Sequence, residues 1–165
     1  VTVLAHDWFP GPVPGRLAIG EHSWLYSSYA LHRGYGEVRI GPDSGVYNGT
    51  HFELGPEGEV EIGRFCTIVG AIIRTNGRVA IGDHTFIAHE VVIADTAFAT
   101  PPRGGPEPAG AGVQIGSGAW IGARAILLGG ASIGDEAIVG AGAVVGTEVP
   151  RGATVVGNPA RVVSR

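Results

Sequence analysis

The chain has 165 residues, 44% of them hydrophobic, a formal net charge of −4, and basic side chains that are all arginine. That length supports one domain with its own core, and the acidic balance offers no field for nucleic acid or an anionic membrane surface. Cys66 is the single cysteine, which excludes an internal disulfide and any cysteine cluster with zinc spacing, so it reads as a small buried hydrophobe.

Residues 1–16 carry three prolines together with Trp8 and Phe9, and read as an irregular lead-in that covers the first coil. From residue 17 aliphatic side chains recur in pairs six apart: Ile19 and Leu25, Ile40 and Val46, Ile62 and Ile68, then Ile81, Ile87 and Ile93. After 113 the rhythm is strict, at Ile115, Ile121, Leu127, Ile133, Val139 and Val145, with alanine four places later at 119, 125, 131, 137 and 143. Neither a helical nor a strand period yields six. The unit is a very short strand plus a corner: one aliphatic side chain points inward, glycine mostly follows it, and a small residue packs beside the turn. Three units close a triangular coil, and coils stack at roughly 4.8 Å.

The expected fold is therefore an all-β parallel β-helix over 17–149. The coil starts Ile19, Ile40, Ile62 and Ile81 are 21, 22 and 19 residues apart, but the next, Ile115, comes 34 later. The excess is one extruded loop, about residues 94–112. Pro150 and Pro159 break the repeat, so 150–165 reads as a C-terminal cap. Neither a signal segment nor a long apolar run stands out, which makes a cytoplasmic location the expectation.

The stretch "AWIGARAILLGGASIGDEAIVGAGAVV" and the ending "VVGNPARVV" closely resemble the hexapeptide-repeat acyltransferases, and within them the maltose, galactoside and lipopolysaccharide type of O-acetyltransferase. The resemblance implies a left-handed β-helix, an exception to the usual right-handed crossover. It also implies a homotrimer with sites in the grooves between subunits, acetyl-CoA or another acyl-CoA as co-substrate, and a small-molecule acceptor such as a sugar. By the same resemblance Trp120 matches a tryptophan beside the groove, Ala123 and Ala141 match small residues lying against the pantetheine arm, and Arg161 matches a basic residue near the CoA phosphates. Two positions depart from the pattern. Phe98 stands where relatives keep a catalytic histidine, and Thr147 stands where many have a lysine near CoA.

Acyl transfer from a thioester needs a base for the acceptor's proton, and histidine is the natural one near neutral pH. His89 is the candidate, because it is the third residue of the unit beginning at Ile87, an outward position on the coil that carries the loop. Asp95 is the candidate to orient that base or grip the acceptor. Glu90, Phe98, Arg103 and Trp120 are candidate acceptor contacts, and Ala123, Ala141, Thr147 and Arg161 candidate CoA contacts. A zinc site of the γ-carbonic anhydrase kind would need histidines where Thr75 and Ala94 stand, so no metal is expected. The competing reading is a protein of this fold that has lost CoA chemistry, or a trimeric scaffold that only binds.

Overall fold

The computed structural model describes residues 16–26, 36–95 and 111–164. All regular structure there is β, arranged as three sheets of seven, eight and five strands in which each strand pairs with its counterpart one coil away. Every such pairing is parallel except the last. This is the parallel β-helix that the six-residue period predicts, and five coils contribute a strand to all three faces. Among the described residues no helix is long and apolar enough to cross a membrane.

The register shows why six works. On the first face Ile19, Ile40, Ile62, Ile81, Ile115, Ile133 and Val149 stack in one column. On the second face the column is Leu25, Val46, Ile68, Ile87, Ile121, Val139 and Val155, and on the third Phe52, Ile73, Ile93, Leu127 and Val145. Apart from Ile19 at the open end, all are at most 4% exposed. Each pleat turns the preceding side chain outward, so one aliphatic per unit fills the axis and its neighbours meet solvent.

Corners follow the same count. Three residues after an inward aliphatic the backbone turns left-handed, with φ of +54° at Phe65, +58° at His84, +68° at Gly118 and +58° at Glu136. The small residue one place later is buried and ties coils together. In the N-terminal half the Ser44 hydroxyl donates to the Gly63 carbonyl at 2.8 Å and accepts the Cys66 N–H at 2.9 Å, while the Thr85 hydroxyl donates to Gly116 at 3.0 Å. In the C-terminal half Ala119, Ala137 and Ala153 take over this column. Cys66 is a buried member of it, as expected, and burial pushes its thiol pKa up.

The strand Val92–Ala94 pairs directly with Ile126–Leu128, and Arg78–Ile81 with Val113–Ile115. No coil is skipped between these described strands, and Asp95 and Ala111 stand at the corner between the third and first faces. Phe98 and Arg103 lie outside the described residues, as do residues 1–15 of the lead-in, while Arg16 already belongs to the first strand. At the other end the helix runs past the expected limit of 149: Thr154–Val156 adds a further parallel strand, and only Arg161–Ser164 folds back antiparallel beside it.

The three faces differ outward. The first carries Arg39, Glu61, Gln114, Ser132 and Glu148 in register. The third carries a half-buried aliphatic ladder, Ile72, Val92, Ile126 and Val144.

Candidate active site

The corner from the second to the third face gathers most of the candidates. The Arg124 N–H donates to the His89 carbonyl at 3.0 Å, and the Gly142 N–H to the Ala123 carbonyl at 2.9 Å. His89, Ala123 and Ala141 are thus successive rungs of one column, each the third residue of its unit. His89 and Ala141 are exposed, and Ala123 is half-exposed. The rungs nest closely because glycine precedes both alanines: a Cβ on Gly122 would lie 2.6 Å from the Ala141 nitrogen.

Beside His89, Glu90 has φ +58° and Arg124 in the next coil +62°. Their side chains meet as an ion pair, Arg124 Nε to Glu90 Oε2 at 2.6 Å. The Arg124 guanidinium holds the Glu90 carboxyl below the usual carboxylate range, and the arginine is shifted upward in return. Both side chains are largely exposed, so the pair adds little stability. Its effect is local: it leaves Glu90 already partnered next to His89.

Trp120 points outward from the second face, 56% exposed, and meets Phe86 of the preceding coil edge-to-face with ring centroids 5.6 Å apart. Phe86 in turn lies three residues before His89. Arg161 stands across from Val156 beyond the far end of the same corner column, roughly 19 Å from His89 if each of the four strand steps between them is about 4.8 Å. Its guanidinium is exposed and bonds only the Ala160 carbonyl, at 2.8 Å, among the described contacts.

Asp95 does not join His89. The two sit at opposite edges of the third face, on the order of 15 Å apart along the intervening strand. The Asp95 carboxylate accepts from the Thr75 hydroxyl and from the Asn76 N–H at 3.3 Å, so within one chain it closes a corner of the preceding coil and does not orient His89. Thr147 lies at that same far corner, exposed, with its carbonyl accepting the Ser132 N–H at 3.4 Å. Among the described residues no group of three or more His, Cys, Asp or Glu side chains converges as a metal site would require.

Two members of this neighbourhood escape a reading of motifs, Arg124 and Phe86. The signal for both is positional: Glu90 and Arg124 fill the same place in consecutive coils, and Phe86 and Trp120 immediately precede the inward Ile87 and Ile121. A shallow depression of about 540 Å³ on the first face, bordered by Arg64, Arg78, Glu61 and Asp83, is a less suitable site. Its arginines are already paired, Arg78 with Glu61 and Arg64 with Asp83.

Residues 112–147 match the family model described as "Bacterial transferase hexapeptide (six repeats)". No curated protein matches the sequence. Among solved structures, the fold is similar to a hexapeptide transferase family protein from Anaplasma phagocytophilum, at TM-score 0.67 and 17% identity over 89% of this chain and 77% of that one. It is likewise similar to AntD, an N-acyltransferase from Bacillus cereus solved with dTDP and 3-hydroxybutyryl-CoA, at TM-score 0.68 and 17% identity over 90% and 76%. A third, a hexapeptide-repeat acetyltransferase from Vibrio cholerae solved with acetyl-CoA, gives TM-score 0.54 and 19% identity over 91% and 68%. At these identities the likeness concerns the fold, and the match to the family model covers residues 112–147.

Proposed function

We propose that the protein is an acyl-CoA-dependent acyltransferase, working in the cytoplasm as a homotrimer and moving an acyl group, acetyl being the expected one, to a hydroxyl or amine of a sugar or similar small metabolite. The observation that carries this reading is the corner column: His89, Ala123 and Ala141 stand on successive rungs, with Arg161 at the far end. That line offers a base, a glycine-relieved strip of backbone for a narrow pantetheine arm, and a cation for phosphate. The CoA complexes of the Bacillus and Vibrio proteins support the choice of co-substrate.

In the proposed reaction the acceptor oxygen or nitrogen attacks the thioester carbonyl while a ring nitrogen of His89 takes its proton. The carbon–sulfur bond then breaks, and the departing thiolate collects a proton to leave as CoA–SH. Trp120 bounds the acceptor on one side and Glu90, already held by Arg124, on the other. Phe98 and Arg103 remain proposed acceptor contacts, and Thr147 a proposed CoA contact. Asp95 enters only as a brace of the corner from which the loop leaves, unless a neighbouring subunit's His89 reaches it across the trimer seam.

Thermal shift with CoA or acetyl-CoA tests the reading, since ligand at 100 times its Kd adds about 2.7 kcal/mol of stability. Absence of any shift at millimolar CoA would rule it out. The engagement of Asp95 by Thr75 and Asn76 favours the second reading, a trimeric binding protein without CoA chemistry. If CoA binds and supports turnover, His89→Ala tests the base: lost turnover with retained CoA binding supports it, and full turnover removes His89 from the mechanism.

A further inference from the structure

A hollow of about 290 Å³ lies on the first face against the corner where Asp95 and Ala111 stand. Small residues make it: Ala80 sits between Glu61 and Gln114 in the outward column, and Gly112 and Gly130 line the adjoining corner. Arg78, held by Glu61, closes one end. Gln114 and Ser132 lie in register one coil apart, both exposed. Neither the Gln114 amide nor the Ser132 hydroxyl has a hydrogen-bond partner among the described residues.

By itself the hollow is smaller than the roughly 300–1,000 Å³ of small-molecule sites, which suits one wall of a shared groove. Its height points to the other wall. It spans the three coils of Arg78, Gln114 and Ser132, and the corner column His89, Ala123 and Ala141 occupies the same three coils. Within one chain the two lie on different sides of the helix. In a rotationally symmetric trimer each copy meets the next through unlike surfaces, and rotation about an axis parallel to the coils keeps every coil at its own height. The ladder Ile72, Val92, Ile126 and Val144 is unbroken, whereas Gly45 and Thr67 interrupt the outward column of the second face. With the third face turned to the axis, the His89 corner at one edge of it meets the Asp95 corner of the next copy. Outside that seam the second face of one copy and the first face of the next wall a single groove, in which the hollow stands level with the corner column.

We propose that this hollow is the far wall of the neighbouring copy's acyl-CoA groove, where Gln114 and Ser132 hydrogen-bond the amide-bearing arm of the donor that lies along Ala123 and Ala141. A side-chain amide and a hydroxyl each donate and accept, which matches the N–H and C=O groups of that arm. Two carbons separate its amides, a spacing of about one coil step. The inference rests on the acyl-CoA reading and on the trimer proposed with it, and adds that the donor is held by side chains of two copies.

Calorimetric titration of the assembled protein with CoA tests it. Gln114→Ala and Ser132→Ala should each weaken binding about fivefold, while Arg39→Ala, on the same face but two coils from the hollow, leaves it unchanged. Ala123→Trp fills the corner column and Gln114→Trp fills the hollow, so neither variant alone should bind CoA. Co-expressed in equal amounts, the two should regain about a quarter of the parent's sites, the fraction of seams in random trimers that join an open column to an open hollow. No recovery in the co-assembled chains overturns the proposal and leaves the acyl-CoA reading standing. So does a parent that binds CoA no better than Gln114→Ala and Ser132→Ala. A parent that binds no CoA overturns both.

Discussion

Two glycines of the repeat serve different physical ends, and substitution separates them. Gly152 has φ +67° with nothing within 4 Å of where an alanine Cβ would stand, so Gly152→Ala costs only backbone strain, about 1 kcal/mol. Gly122 faces the Ala141 nitrogen at 2.6 Å and the Val139 carbonyl at 2.8 Å, backbone atoms that are themselves locked in the next coil. Gly122→Ala should therefore cost more, about 3 kcal/mol, as read by denaturant midpoints. Equal losses would show that the coils part easily. The Asp83 carboxyl, held below the usual range first by the Arg64 N–H and then by its guanidinium, adds a pH dependence. A lowered carboxylate pKa contributes stability that is present above its unfolded value and is lost as pH falls through the folded one. Acid titration of unfolding in Asp83→Asn should thus show a shallower loss below the ordinary carboxylate range than the parent chain.

At the level of a strand, inward and outward positions should behave as different materials. Leu127 is fully buried and Leu128 is 43% exposed, one residue apart on Ile126–Leu128. Leu127→Ala is expected to cost about 2–5 kcal/mol by leaving a cavity in a closed column, the general range for such truncations, and Leu128→Ala about 0.5 kcal/mol or less. Urea unfolding of the two variants checks this directly. The alternation is legible without coordinates, because the spacing of Ile115, Ile121 and Leu127 already tells which side chain faces the axis. The site is legible only in part. His89, Ala123 and Ala141 share a unit position in the sequence and share a column in space. Asp95 is six residues from His89 in the chain, and the strand between them carries it to the opposite edge of a face, where Thr75 and Asn76 take its carboxylate.

For the molecule as a whole, the contrast among faces bears on assembly. The first face is charged and polar, whereas the third offers Ile72, Val92, Ile126 and Val144 in one ladder, which is costly to leave in water. The proposed trimer should use the third face, setting the His89 corner at the rim of the seam. Light scattering should return three times the 16.9 kDa chain mass. Ile126→Asp should lower that mass toward the monomer, and Gln114→Asp on the first face should not. A trimer indifferent to Ile126→Asp would move the seam elsewhere.

The coil is written in the order of residues alone: a six-residue period admits one way of burying one aliphatic per unit, and the position of the extra residues between Ile93 and Ile115 follows from counting. Left-handed backbone falls three places after many of the inward residues, but two places after Ile68 and Val155, at Gly70 and Gly157, and at neither place after Phe52, Ile73 or Val145. Which polar groups meet is a matter for the folded coils. Glu90 and Arg124 are 34 residues apart in the chain yet adjacent in space, and Phe86 meets Trp120 for the same reason. Periodicity tells which way a side chain points, but partners across coils depend on how many residues each corner absorbs, and that is settled by packing.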